Sequence, residues 1–230
     1  MPQPLRKWDP RVHFDAACLE QRPKLAAKIA QIAAASTNLD VHIGFLLADI
    51  AGSKADVGIT MYLALSGSAA QESVFIAVAE KYVPPKLMER LADIMKKQVR
   101  ARARERNAII HATWSLHPDD QDALINCPPQ SAILHMGEMI SHFKTHKNLD
   151  TFEGGLENLM IYKAKDFDDV LTRIGETRKA IDAFRTDFET FQTELRQQLL
   201  SLANALSKMP KPAHPDKPQS APPESSEPDQ

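Results

Sequence analysis

Cysteine is nearly absent from this chain: Cys18 and Cys127 are the only 2 in 230 residues. They stand far apart, in no metal-ligand or redox spacing. A disulfide framework and a cysteine-built metal centre are therefore excluded as organising devices, and two reduced, buried thiols are expected. Glycine is also sparse, with 8 residues. The pair Gly154 and Gly155 in "FEGGLEN" lacks the Lys-Ser/Thr that a phosphate loop requires, and reads as a turn. No apolar run approaches the roughly 18 residues of a membrane span. The opening "MPQPLRKWDP" has no apolar core of the signal-peptide kind, so a cytoplasmic location with no membrane partner is expected. Charge of one sign is missing too. A net charge of −2 gives no general attraction for nucleic acid, so any such site must be a local patch.

What the chain does have is helical periodicity. Leu25, Ile29, Ile32, Leu39, Ile43, Leu46 and Leu47 recur at mostly helical intervals, which predicts a helix over 19–50 with a break at Gly52. A second helix is expected over 56–65, ending near Gly67. A third lies in "AAQESVFIAVAEKY", stopped by Pro84 and Pro85, and a fourth covers 86–112. "TWSLHP" and "DALINC" read as a short hairpin, residues 131–148 as a helix, and "ENLMIYKA" as a strand or an extended approach to the last helix. That helix is expected over 166–207. Phe167, Ile174, Ile181, Phe188, Leu195 and Leu202 recur every seven residues, with Phe184 and Phe191 between them. Such a seam suits either a long helix packed on its own bundle or a coiled coil with a partner. The Pro-rich segment 209–230 has no aromatic residue and no apolar side chain beyond Met209 and its alanines, and is expected to be a disordered tail.

The fold class expected is mainly α: a helical bundle with a small β insertion and a long C-terminal helix. The organisation is an N-terminal arm over 1–18, the bundle over 19–115, an insertion over 116–165, the long amphipathic helix over 166–208, and the tail.

Chemistry concentrates in "RARERNAIIHATW", residues 102–114. Between Lys86 and Arg106 the bases far outnumber Glu89, Asp93 and Glu105. A solvated face is the common cause of such a run, but here the acids thin out towards a histidine. Arg100, Arg104, Asn107 and His111 step by four, three and four, which places them on one helix face. Arg106 lies off that face in an ideal helix. A tightened or unwound last turn would let Arg106, Asn107 and His111 converge on one groove, with Trp114 packed beneath.

At these residues the sequence resembles the HEPN superfamily of helical domains. Its signature is an arginine, often followed by a polar residue, and a histidine four to six residues beyond the arginine, on the late helix of a bundle. Arg106, Asn107 and His111 match it as "RNAIIH", and Arg104 to His111 fits a longer spacing. The resemblance covers about residues 19–115. It implies an HEPN-like bundle and an endoribonuclease that needs no metal and no cofactor. Arg106, Asn107 and His111 would be catalytic, and Arg100 and Arg104 would hold RNA. It further implies a homodimer whose two motifs line one cleft, as in toxin or defence systems with an antitoxin or regulatory partner. The residue types suit the reaction: imidazole titrates near neutrality, and guanidinium stabilises a phosphorane through paired hydrogen bonds. A non-catalytic interaction or RNA-binding module remains the alternative.

One further pattern competes. His135, Glu138, His142 and His146 form a stripe on a helix, with His142 and His146 at a zinc-like spacing. No Glu follows His142 in the protease pattern and no cysteine is near, so the stripe reads as a solvated or RNA-facing surface, with no metal.

Overall fold

A computed structural model describes residues 1–7, 9, 11–147, 149, 152 and 158–208. The tail over 209–230 and the glycine pair lie outside the described residues. The chain divides into two compact units, Met1–Glu189 and Thr190–Gln230. The molecule is mainly helical, with one small sheet.

Helix α1 (Pro23–Ala51) is the spine of the first unit. Its apolar stripe, Leu25, Ile32, Leu39, Ile43, Leu46 and Ile50, is buried. Gly52 ends it in the left-handed region (φ 62°), donating its N–H to the carbonyls of Ala48 and Asp49, a conformation that costs glycine nothing. Helix α2 (Ala55–Ala64) folds back along α1. The approach is close at Gly58, where an added Cβ would stand 2.5 Å from the Ala48 side chain. Helix α3 (Ser68–Tyr82) follows. Pro84 and Pro85 then open a continuous helical run: α4 (Pro85–Asp93), a π-helical turn over Ile94–Val99, and α5 (Arg100–Ile110). Within the π turn Ile94 and Met95 are both buried in the core.

Four strands form an antiparallel sheet in the order β1-β4-β3-β2: β1 (Gln3–Pro4), β2 (Thr113–Leu116), β3 (Ala123–Cys127) and β4 (Met160–Lys163). The hairpin expected after the fourth helix is β2–β3, with Trp114 opposite Asn126. The sheet draws strands from the arm, from the end of the predicted bundle and from the predicted insertion, so these three segments share one compact unit. Along β3 the side chains alternate. Ile125 and Cys127 join Val12, Phe152 and Leu159 in a cluster that also touches Ala132 and Met139 of α6 (Pro129–His146). On β4, Tyr162 meets Trp114 and Phe167, with ring centroids 5.5 Å and 5.3 Å away.

Helix α7 (Ala164–Ser207) belongs to the first unit over residues 164–189. There Phe167, Ile174, Ile181, Phe184 and Phe188 are buried. The Lys28–Asp168 ion pair and a hydrogen bond between His42 Nδ1 and Asp182 tie this part to α1, and the Glu105–Arg173 ion pair ties it to α5. The seam is thus a bundle face as far as Phe188. In the second unit, residues 190–207 are helical, and Leu195, Leu199, Leu202 and Leu206 are exposed.

Helix α6 reverses the usual distribution. Its buried side chain is His135, set against Phe14 and Phe152, whereas Ile133, Met136, Ile140 and Phe143 are exposed. No helix among the described residues is long and apolar enough to cross a membrane.

Candidate nucleic-acid interface

The motif lies at the end of α5, and three contacts fix that end. Ile109 is buried in the bundle. Asn126 of β3 donates from Nδ2 to the carbonyl of Ala108 at 3.0 Å, satisfying one of the acceptors that a helix end leaves open. His111 closes the helix with φ −95° and ψ 2°, its N–H on the carbonyl of Asn107. Trp114 packs on Tyr162 and Phe167 within the sheet–helix seam, two residues into β2.

The predicted residues separate into two groups. Arg104, Asn107 and His111 are exposed, and among the described residues their side chains make no hydrogen bond or ion pair. They are the outward face that the four-three-four stepping anticipates. Arg100 starts that face but is engaged: its Nε and Nη2 each donate at 2.8 Å to the carboxylate of Glu72 on α3. Arg106 points elsewhere. Five residues of α-helix place it about 140° around the axis from His111, and its Nε is buried without a partner among the described residues. The last turn does not bring Arg106 to the Asn107–His111 surface within one chain.

Arg106 lines a partly open cavity between α1, α2, α3 and α5, together with Ser36, Asp40, Tyr62 and Arg102. Two further buried polar atoms here, Ser36 Oγ and Arg102 Nε, have no hydrogen-bond partner among the described residues. Burial pushes the Asp40 carboxyl above its ordinary range, and the nearby Arg106 charge opposes that shift. Burial likewise pushes the Tyr62 hydroxyl up, with Asp40 and Glu72 adding to the effect. This cluster was not singled out from the sequence. One signal was there: Ser36 interrupts the apolar stripe of α1 between Ile32 and Leu39, and Asp40 follows it one turn later.

The histidine stripe of α6 divides as well. His135 is buried, with its pKa lowered by burial against the opposing influence of Glu138. His142 and His146 stack with ring centroids 4.3 Å apart. Among the described residues no group of three or more His, Cys, Asp or Glu is placed to hold a metal ion.

In comparisons with known proteins, no family model, no curated sequence and no solved structure matches the chain.

Proposed function

We propose that this protein is an HEPN-type endoribonuclease that works without a metal, with His111 as the proton-transfer group. The reading is carried by one observation: Arg104, Asn107 and His111 share an exposed face at the end of a basic helix, with no partner among the described residues. Neutral imidazole takes the proton of a ribose 2′-OH as that oxygen attacks the adjacent phosphorus. The bond to the 5′-oxygen breaks, leaving a 2′,3′-cyclic phosphate, and the departing oxygen takes a proton from a second imidazolium. Arg104 stabilises the charge on the phosphorane oxygens, and Asn107 holds one of those oxygens or orients His111.

A second copy supplies the second imidazole and closes the groove. The ends of the two α5 helices would then lie near a two-fold axis. Arg106 of the motif, turned inward in its own chain, would support the helix end from behind rather than reach the phosphate. A toxin or defence setting, with a regulatory partner, belongs to this same reading.

The reading is tested by incubating the full chain with mixed RNA in excess EDTA and following strand scission, alongside light scattering. Cleavage by a dimer supports it; a strict monomer at micromolar concentration that leaves RNA intact refutes it.

A non-catalytic interaction module is the second reading, favoured by the exposed Ile133, Met136, Ile140 and Phe143 on α6. Contiguous apolar surface of this kind marks association sites. In that case binding survives His111→Ala unchanged.

A further inference from the structure

The cavity behind α5 has an unusual set of unmet hydrogen-bonding demands. Ser36 is 8% exposed, and its hydroxyl, on the apolar stripe of α1, has no partner among the described residues. Arg102 reaches Glu105 through Nη1 at 3.3 Å, and Glu105 is shared with Arg173, while Arg102 Nε stays unmatched. Arg106 has no hydrogen bond or ion pair among the described residues, and the same is true of the Tyr62 hydroxyl. Against these donors stands one unmatched carboxylate, Asp40, in the field of Arg106. Glu72 is already occupied by Arg100. Ser36 Oγ, Arg102 Nε and Arg106 Nε are buried and unmatched among the described residues, and leaving such donors unsatisfied is costly, so the cavity suits a guest that supplies the missing acceptors.

The guest must be small. The cavity measures about 30 Å³, room for roughly two waters or one tetrahedral ion, but not for a base or sugar ring. It must accept several hydrogen bonds from arginine and hydroxyl groups, and it must donate at least one to Asp40. Sulfate accepts only. Hydrogen phosphate does both, because it keeps a P–OH near neutrality.

We propose that this cavity is a binding site for a protonated phosphate group, held by Arg102, Arg106, Ser36 and Tyr62 as donors and by Asp40 as the acceptor of its P–OH. Asp40 makes the site selective: its carboxylate repels a fully deprotonated oxyanion and rewards one that carries a proton. Free phosphate offers this chemistry at neutral pH; the terminal phosphate of an oligonucleotide offers it only while it keeps its second proton, towards pH of about 6 and below. The inference does not rest on RNA cleavage. Phosphate binding by a chain that leaves RNA intact supports this site and defeats the ribonuclease reading; cleavage without phosphate binding does the reverse.

Titrating the full chain with inorganic phosphate, and with sulfate at matched ionic strength, by calorimetry and thermal unfolding tests the site. Saturable stabilisation by phosphate, with at least tenfold weaker sulfate, is expected. Arg106→Gln should weaken phosphate at least tenfold, as loss of a charge-assisted bond implies. Asp40→Asn should bring phosphate and sulfate within about threefold of each other, since an amide can donate to either ion. Ser36→Ala places a good helix former on α1 and should still weaken phosphate severalfold, so the test stands even if Arg106→Gln fails to fold. Competition at a pH of about 6, where a phosphomonoester still carries a P–OH, by a 5′-phosphorylated dinucleotide and not by its 5′-hydroxyl counterpart would identify a terminal phosphate as the source; lack of competition there would identify the free ion. No saturable response of the wild type, equal affinity for sulfate, or undiminished binding in Ser36→Ala would overturn the proposal and leave Asp40 and Arg106 as an internal charge pair.

Discussion

Arg100 and Glu72 form a two-pronged ion pair, with Nε and Nη2 each 2.8 Å from a carboxylate oxygen. Glu72 is the more buried partner, its side chain 13% exposed against 48% for Arg100. The pair engages the Arg100 guanidinium on Glu72, whereas Arg104 on the same outer face has no hydrogen bond or ion pair among the described residues. Arg104→Ala should therefore lower the salt dependence of RNA binding by roughly 0.7 in log–log slope, the value for one single-strand phosphate contact. Arg100→Ala should leave that slope unchanged but destabilise the fold by about 1–3 kcal/mol, because Glu72 loses its partner. Fluorescence anisotropy across a salt series, with urea unfolding of both variants, checks the pair of outcomes.

The contact between α1 and α2 makes a second expectation. A Cβ at Gly58 would lie 2.7 Å from the Ala48 backbone, too close for any rotamer to relieve. Gly58→Ala should destabilise by about 1–3 kcal/mol or more, despite alanine's better helix propensity. Unfolding in urea with an unchanged m-value and a lower midpoint is the expected record.

Much of this architecture was legible in the sequence because its signals are local. Gly52 and the Pro84–Pro85 pair punctuate the helices where they do in the structure, and the "TWSLHP" and "DALINC" runs form the expected hairpin. What escaped was set by distant partners. Gln3–Pro4 is a strand only because Ile161 and Met160 lie beside it; two residues carry no pattern of their own. Periodicity located α6 but could not say which face is covered, and the face that is buried holds His135. On α5, the four-three-four stepping placed Arg104, Asn107 and His111 together. The surroundings of Arg100 and Arg106 depended on Glu72 and Asp40, 28 and 66 residues earlier in the chain.

The long helix offers a contrast along a single seam. Phe188 is 1% exposed and Leu195 is 43% exposed. Phe188→Ala should cost about 3–5 kcal/mol through the cavity it leaves. Leu195→Ala should change stability by no more than about 0.5 kcal/mol, the range of surface substitutions. Equal losses at the two positions in dilute protein would mean that the seam remains covered beyond residue 189.

Acidity should act through His135. Burial holds its pKa below the ordinary histidine value of 6.5, against the smaller opposing effect of Glu138. A depressed folded-state pKa means that the unfolded chain binds the proton first. The stability contributed by neutral His135 is then present above pH 6.5 and is lost as pH falls towards the folded-state value. His135→Leu should flatten that part of the stability–pH curve, read by urea titrations between pH 7.5 and pH 5.

The most direct test of the functional account is end-group analysis of RNA treated with wild-type and His111→Ala protein in excess EDTA. The account predicts 2′,3′-cyclic phosphate and 5′-hydroxyl ends from the wild type, and a rate lower by roughly 10²–10⁴ in the variant, the usual contribution of a positioned acid–base group. Cleavage that stops on chelation, or that continues undiminished in His111→Ala, would contradict it.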